Sequence, residues 1–310
     1  MTTSDPLEVT PDAKATGPSS PEDGLVEAAA PKLAALEALL ASRGPALVAF
    51  SGGVDSTFVL HVAHKVLGDR CVALTAVSAS LAPEEAVEAA ELAGRIGARH
   101  VLVRSGELDN PSYAQNPINR CYFCKTELYS LCEVKREELK LEVVLDGFNA
   151  DDRRDHRPGH QAAREHRVLS PLSEVGLTKA EIRALSRAAG LPTWDKPQMA
   201  CLASRIPYGT GVTRERLLQI GAGESELRKL GLRSFRLRFH HEVARLEVAA
   251  EELFHFDAPA FRAAVNGALK AQGFRFVALD LEPFRSGRMN EAAGITPQVG
   301  SHPLPVLPAR

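Results

Sequence analysis

The chain has 310 residues, 45% of them hydrophobic and 25% charged, and its 37 basic and 39 acidic side chains leave a formal charge of −2. That length buries a core of ordinary size and leaves room for two domains, and the composition is that of a soluble globular protein. No long run of one sign supports a nucleic-acid or membrane-surface partner.

Residues 1–24 are rich in Pro, Ser, Thr, Asp and Ala and poor in large apolar side chains, so ordering them gains too little buried surface; they read as a disordered tail. They carry no signal-peptide pattern, and no apolar run in the chain reaches the length of a membrane span. From Pro45 the chain alternates apolar runs with helical spacing. Ala46–Phe50 reads as a buried strand ending at Ser51-Gly52-Gly53, followed by a helix from Val54 to about Leu67. Cys71–Val77 and His100–Val103 read as strands, with a helix over Pro83–Ile96 between them. A polar passage then leads into a helix that carries Cys121 and Cys124 and runs to about Leu139. Glu142–Leu145 is a fourth strand, ending in Asp146-Gly147-Phe148-Asn149-Ala150-Asp151-Asp152, and Thr178–Ala189 a further helix, closed by Gly190. This order predicts βαβ units in a parallel sheet with helices on both faces, and ligands beyond the C-terminal ends of its strands. After Pro207 the pattern becomes α+β. It has helices over Arg214–Leu230 and Ala258–Gln272, strands over Ser234–Phe239 and Val243–Val248 forming an antiparallel hairpin, and a strand over Phe276–Leu281. The expected organisation is a parallel-sheet domain over 25–207, a smaller α+β domain over 208–290 and a flexible tail over 291–310, which holds four prolines.

Ser51-Gly52-Gly53-Val54-Asp55-Ser56-Thr57 sits between strand and helix. Two glycines let the backbone turn its N–H groups toward a phosphate, and the helix N-terminus and the hydroxyls of Ser51, Ser56 and Thr57 add to the cradle. The Gly-Lys-Ser/Thr ending of the common mononucleotide loop is missing. Asp55 inside the turn repels phosphate unless a cation such as Mg²⁺ compensates. Lys179, in the first turn of its helix behind a Thr178/Glu181 capping box, opposes the helix dipole unless an anion such as pyrophosphate sits there; an exposed surface lysine is the alternative.

The five cysteines are Cys71, Cys121, Cys124, Cys132 and Cys201, an odd number without an export pattern, which points to reduced thiols and the cytoplasm. Cys121-Tyr122-Phe123-Cys124 at a helix start presents two thiols to one metal, and Cys201 lies on an arginine-flanked irregular segment. Four thiolates suit a closed zinc site, and three suit a 4Fe–4S cluster with one open iron; a redox pair or unrelated buried thiols are the alternatives. Cys71 reads as a buried strand residue, and Cys132 lies two helical turns beyond Cys124.

SGGVDST resembles the PP-loop of the ATP pyrophosphatase superfamily (adenine nucleotide alpha hydrolase-like domains), whose members split ATP between its α and β phosphates. Together with RCYFCK, DGFNADD…DHRPG, SPLSEVGLTKAEIR, LPTWDKPQMACLASRIPYG, FRLRFHHEVARLE and LDLEPFRSGRMN, it makes the chain similar to the LarE family of ATP-dependent sulfur transferases from about Ser51 to Asn290. The resemblance implies adenylation of a carboxylate of pyridinium-3,5-biscarboxylic acid mononucleotide and its conversion to a thiocarboxylate, a step in making a nickel-pincer nucleotide cofactor. It implies ATP and Mg²⁺ at Ser51, Gly52, Gly53, Asp55, Ser56, Thr57 and Lys179. It also implies either Cys201 as a sacrificial sulfur donor or a 4Fe–4S cluster on Cys121, Cys124 and Cys201, with substrate met by Ser204, Arg205, Glu224, Arg236 and Arg238. The expected partner is a small-molecule nucleotide, with neither membrane nor nucleic acid, and the expected state a homo-oligomer. Rival readings are an ammonia-dependent synthetase, a tRNA-thiolating enzyme of the same superfamily, or a non-catalytic nucleotide sensor with a zinc staple.

Overall fold

The computed structural model describes residues 21–154, 158–197 and 200–285, together with 288 and 294. The tails expected over 1–24 and 291–310 lie almost wholly outside these residues. So do residues 155–157, 198–199, 286–287 and 289–290, which include parts of the motifs DHRPG, PQMAC and RSGRMN.

Four strands form the first sheet: β1 (Ala46–Ala49), β2 (Cys71–Val77), β3 (Arg99–Arg104) and β4 (Val143–Leu145), in the order β3-β2-β1-β4, every pair parallel. The parallel sheet read from the sequence is present, each strand within one residue of its expected ends. The β1 side chains show why it has two covered faces: Ala46, Val48 and Phe50 enter one core and Leu47 and Ala49 another, as a period of two requires. The helices of this half are α1 (Pro21–Arg43), α2 (Val54–Leu67), α3 (Pro83–Ile96), α4 (Pro111–Ala114), α5 (Arg120–Glu138), α6 (Pro158–Glu165), α7 (Pro171–Glu174) and α8 (Lys179–Ala188). Leu36 and Leu40 of α1, Phe58 and Leu60 of α2 and Ile182 and Leu185 of α8 fill the first core. Tyr129 and Cys132 of α5 and Ala162 and Ala163 of α6 fill the second.

The sequence reading places no element before Pro45, yet α1 begins at Pro21 and packs on α8, tied by Lys32 to Glu181 at 2.7 Å and to the Gly176 carbonyl at 2.9 Å. Its many alanines blur the contrast between apolar and polar faces that marks an amphipathic helix.

The remaining elements are α9 (Arg214–Lys229), β5 (Phe235–His240), β6 (Val243–Val248), α10 (Pro259–Ala271) and β7 (Phe276–Leu279). β5 and β6 form the expected antiparallel hairpin, and β7 adds to β6 in parallel. Their core also draws in Ala82, Tyr113, Leu202, Ala203 and Ile206, so segments around the first sheet pack directly into it.

Strand order reverses between β1 and β4, the switch point at which open α/β sheets bind ligands. The Ser51 turn leaves β1 there and the Asp146 turn leaves β4. Gly147 lets them touch: a β-carbon on it meets Ser56 N at 2.9 Å and Asp55 Cβ at 3.2 Å. Gly147→Ala therefore forces the two turns apart. We expect a lowered melting temperature, equivalent to about 1–3 kcal/mol of overpacking, and slower ATP-dependent pyrophosphate release with an unchanged far-ultraviolet circular dichroism spectrum.

Candidate active site

The Ser51 turn is built by its own side chains. Gly52 has φ +69°, a left-handed conformation that a β-carbon disfavours. The Ser51 and Ser56 hydroxyls lie 3.1 Å apart, Ser51 N donates to Ser56 Oγ at 3.3 Å, and Ser56 Oγ donates to the Gly53 carbonyl at 3.2 Å. Gly53 caps α2 without a side-chain hydrogen bond, which leaves the helix N-terminus for a ligand. Asp55 Oδ1 and Thr57 Oγ1 are buried and have no hydrogen-bond partner among the described residues. Orphaned polar atoms of this kind are what a nucleotide and its magnesium ion would satisfy, so the residues fit both.

Lys179, 124 positions along the chain, donates to Asp55 Oδ2 at 2.6 Å. Burial raises the Asp55 pKa above the ordinary carboxylate value, and Lys179 opposes that shift without cancelling it. The lysine expected at an anion site thus reaches the acid of the phosphate turn, with its own N–H bound to Asp151 Oδ2 at 2.8 Å. Helix α8 makes a second link. Arg183 holds the carbonyls of Trp194 and Lys196 at 2.6 and 2.8 Å, and Lys196 Nζ reaches the Gly52 carbonyl at 3.1 Å and Glu88 at 2.9 Å.

Helix α5 follows β3 and precedes β4, so it runs back against the strands and its N-terminus lies at their C-terminal edge. Cys121 and Cys124 occupy that first turn. Two turns on, Tyr129 donates to Asp146 Oδ2 at 2.8 Å, and Lys125 sits 5.4 Å from the Phe148 ring centre. Cys201 precedes a single 3₁₀ turn (Leu202–Arg205), which is anchored to the end of β2 by Leu202 N on the Ser80 carbonyl at 2.9 Å. The Cys201 sulfur lies within electrostatic reach of both Cys121 and Cys124. All three expected thiols therefore converge on the edge that carries the glycine turn. Cys121 is an exposed residue, yet protein crowded around its thiol raises the pKa, and Cys201 adds to this. Burial, then Glu107 and Cys201, raise that of Cys124 far more. Cys71 and Cys132 are buried in the sheet's cores and pushed up to about 12 by desolvation, so neither belongs to the site.

The donor chemistry suits a cluster with one open iron, but the side-chain arrangement does not close around one. Cys124 Sγ is bound to Glu107 Oε2 at 3.1 Å, and among the described residues no three His, Cys, Asp or Glu side chains are placed to hold a metal ion.

Beside Cys201 lie the remaining expected residues. Arg205, 1% exposed, makes a two-pronged ion pair with Glu224 (2.7 and 3.0 Å) and bonds the Cys201 carbonyl and Ser204 Oγ at 3.2 and 3.0 Å. Arg238 bridges Glu247 at 2.8 Å and the Ser204 carbonyl at 2.9 Å. Arg236 lies under the Phe284 ring at 4.5 Å, and burial followed by the like charge of Arg205 lowers its pKa to about 10. The two strand arginines share a face as expected, but that face is buried. Arg205 and Glu224 face each other, where the sequence reading had both facing substrate.

Sequence reasoning missed Glu107, Tyr113, Asn116, Arg120 and Lys196. A polar side chain in a polar loop looks solvated; the signal was only that Asn116 and Arg120 stand four residues apart just before the cysteine motif.

Burial by itself raises the Glu224 pKa, but Arg205, the Leu237 N–H and Arg228 outweigh it and hold it below the usual value of 4.5. A depressed folded pKa adds stability that is complete above the unfolded value and fades as pH falls below about 4.5. Arg205→Ala leaves this buried carboxylate with only the Leu237 N–H and Arg228, both at 3.2 Å, so urea denaturation at pH 7 should show a loss of up to about 3–5 kcal/mol, with a smaller further loss on acidification than wild type shows.

The asparagine synthase family matches residues 33–153, the span holding the glycine turn, Cys121, Cys124 and the Asp146 turn. The chain is 38% identical over 263 residues to the pyridinium-3,5-bisthiocarboxylic acid mononucleotide synthase of Lactiplantibacillus plantarum, covering 84% of this chain and 95% of that protein. It is 45% identical over 259 residues to an uncharacterized protein of Synechocystis sp. (84% of this chain, 97% of that protein), and 23% identical over 241 residues to one of Methanocaldococcus jannaschii (77% and 90%). No helix among the described residues is long and apolar enough to cross a membrane. With its parallel sheet, its PP-loop and these relatives, the chain belongs to the LarE family of ATP-using, adenylate-forming enzymes.

Proposed function

We propose that this enzyme adenylates a carboxylate of pyridinium-3,5-biscarboxylic acid mononucleotide and replaces one of its oxygens with sulfur, in the making of a nickel-pincer nucleotide cofactor. The observation that carries the reading is the convergence of Cys201 with Cys121 and Cys124 on the sheet edge from which the PP-loop emerges. Neither adenylation discharged by ammonia nor nucleotide sensing asks for thiols there.

In the first half-reaction a carboxylate oxygen attacks the α-phosphorus of ATP, and the bond to the bridging oxygen of the β-phosphate breaks, releasing pyrophosphate. The N–H groups around Gly52 and Gly53 and the open N-terminus of α2 offset the growing phosphate charge, and Lys179 lies within reach of the departing anion. Asp55 Oδ1 and Thr57 Oγ1, with Asp151 nearby, would hold magnesium, which when bound neutralises phosphate charge and orients the leaving group. In the second half, the Cys201 thiolate attacks the acyl carbon and AMP leaves, giving a thioester. Removal of the Cys201 Cα proton then breaks its Cβ–S bond, releasing the thiocarboxylate and leaving dehydroalanine. Holding the sulfur next to the acyl carbon supplies effective concentration, which can lower a barrier by about 7–11 kcal/mol. The buried guanidinium groups of Arg236 and Arg238, with Ser204, Arg205 and Glu224 framing them, suit the phosphate and second carboxylate of the substrate.

A 4Fe–4S form of the site is the alternative sulfur source within this proposal. Cys121, Cys201 and a Cys124 released from Glu107 would hold such a cluster, whose open iron would supply a sulfide in place of the cysteine's own sulfur. The homo-oligomer and the cytoplasmic location rest on the sequence alone.

Cys201→Ala should abolish thiocarboxylate formation while pyrophosphate release stays within about twofold of wild type, since it removes a group used only in the second transition state. Mass spectrometry of the product reads the first and a coupled phosphate assay the second; surviving sulfur transfer sinks the role of Cys201. If the cluster form is the working one, protein purified without oxygen is brown and carries about four iron and four sulfide per chain. Colourless protein with stoichiometric zinc speaks for a structural site instead.

A further inference from the structure

Asn116 and Arg120 belong neither to the nucleotide turn nor to the arginine face. Asn116 is fully buried, with φ +57°. Its Nδ2 points at three carbonyls, those of Ile206, Pro207 and Thr210, at 3.2, 2.8 and 2.9 Å, and its own carbonyl accepts from Gly209 N at 2.9 Å. Its Oδ1 accepts from Arg120 Nη1, and the same nitrogen donates to the Ala203 carbonyl at 3.0 Å. Arg120 opens α5, directly before Cys121, and is 3% exposed. The pair thus ties the start of the cysteine helix to the stretch immediately after Cys201, mostly through backbone carbonyls that any sequence supplies.

The charge on Arg120 is harder to explain by packing. Among the described residues it has no carboxylate partner; the groups it faces are the Cys121 and Cys201 sulfurs, the phenols of Tyr113 and Tyr208, and the Tyr208 ring at 5.9 Å. A buried cation without a counter-charge is costly, so core packing by itself does not favour its place beside the two sulfurs.

We infer that Asn116 and Arg120 are positioning residues for the sulfur-transfer half-reaction, clasping the Cys201 segment against the first turn of α5 so that the three thiols occupy one site. The inference rests on the sulfur transfer proposed above. Among the described residues none of the clasp's hydrogen bonds goes to the PP-loop, so adenylation is not expected to depend on it.

The test uses the full-length protein with its thiols reduced, as wild type, Arg120→Gln, Arg120→Lys and Asn116→Asp. A short bifunctional maleimide followed by peptide mapping reads whether Cys201 is joined to Cys121 or Cys124. In wild type this product forms. In both Arg120 variants we expect it to fall about tenfold while the Cys121–Cys124 product persists, with pyrophosphate release within about twofold of wild type and thiocarboxylate formation lower by up to about 10²-fold, the loss a displacement near 1 Å can produce. Full cross-linking and transfer in Arg120→Gln overturn the inference. So does full rescue by Arg120→Lys, which keeps the charge but whose ammonium stops about one bond short of the nitrogen that makes both contacts. If Arg120→Gln fails to fold, judged by loss of pyrophosphate release, Asn116→Asp decides on the same readouts. If wild type makes no thiocarboxylate, the functional proposal fails, and the cross-link still judges the clasp by itself.

Discussion

A carboxylate in the middle of a phosphate-binding turn must be offset, and the way Asp55 is offset organises the rest of the molecule. Burial makes its charge expensive, and Lys179 supplies the nearest cation from the first turn of α8. To stand there α8 needs a fixed N-terminus, given by the Thr178/Glu181 capping box, and a packed back, given by α1 through Lys32. The same helix sends Arg183 to the 194–196 loop, and from that loop Lys196 reaches the Gly52 carbonyl. One Asp side chain thus ties the start of a helix distant in sequence to the phosphate turn, while Ile182 and Leu185 seat that helix in the core. The unpartnered Oδ1 of Asp55 remains as the place for a metal-bound nucleotide.

A second constraint joins the two sheets. Residues 201–212 are held from below by Ser80 and from the side by Asn116 and Arg120, while Arg205 sinks into the other core to meet Glu224. The segment is therefore determined by partners on both sides of residue 207. Arg205 explains why: its guanidinium satisfies Glu224 at one end and the Ala200 and Cys201 carbonyls at the other, so a change at a buried ion pair reaches the sulfur site through two bonds.

Glu107 completes the picture of the thiols. It is buried, accepts from Ser78 Oγ at 2.7 Å and Tyr113 at 3.3 Å, and receives the Cys124 thiol. The thiol pair at the start of α5 is thereby asymmetric, Cys121 at the surface and Cys124 held inward against a carboxylate. A thiol so placed keeps its proton unless a cation joins it.

How much was legible beforehand follows from which interactions are local. The parallel sheet, the glycine turn and the hairpin all depend on short-range periodicity and on glycines at strand ends, so residues 46–53, 71–77 and 234–248 announce themselves. The convergence of Cys121, Cys124 and Cys201 was suggested by family resemblance, and no spacing rule brings residue 201 to residue 121. What only the tertiary structure decided are the partners of charges. Lys179 found Asp55, Arg205 found Glu224, Arg238 found Glu247, and Arg120 found no carboxylate among the described residues. A side chain's charge is written in the chain, but whether it meets solvent, substrate or a counter-ion depends on long-range packing that brings residues tens of positions apart into contact, and that packing leaves no local trace.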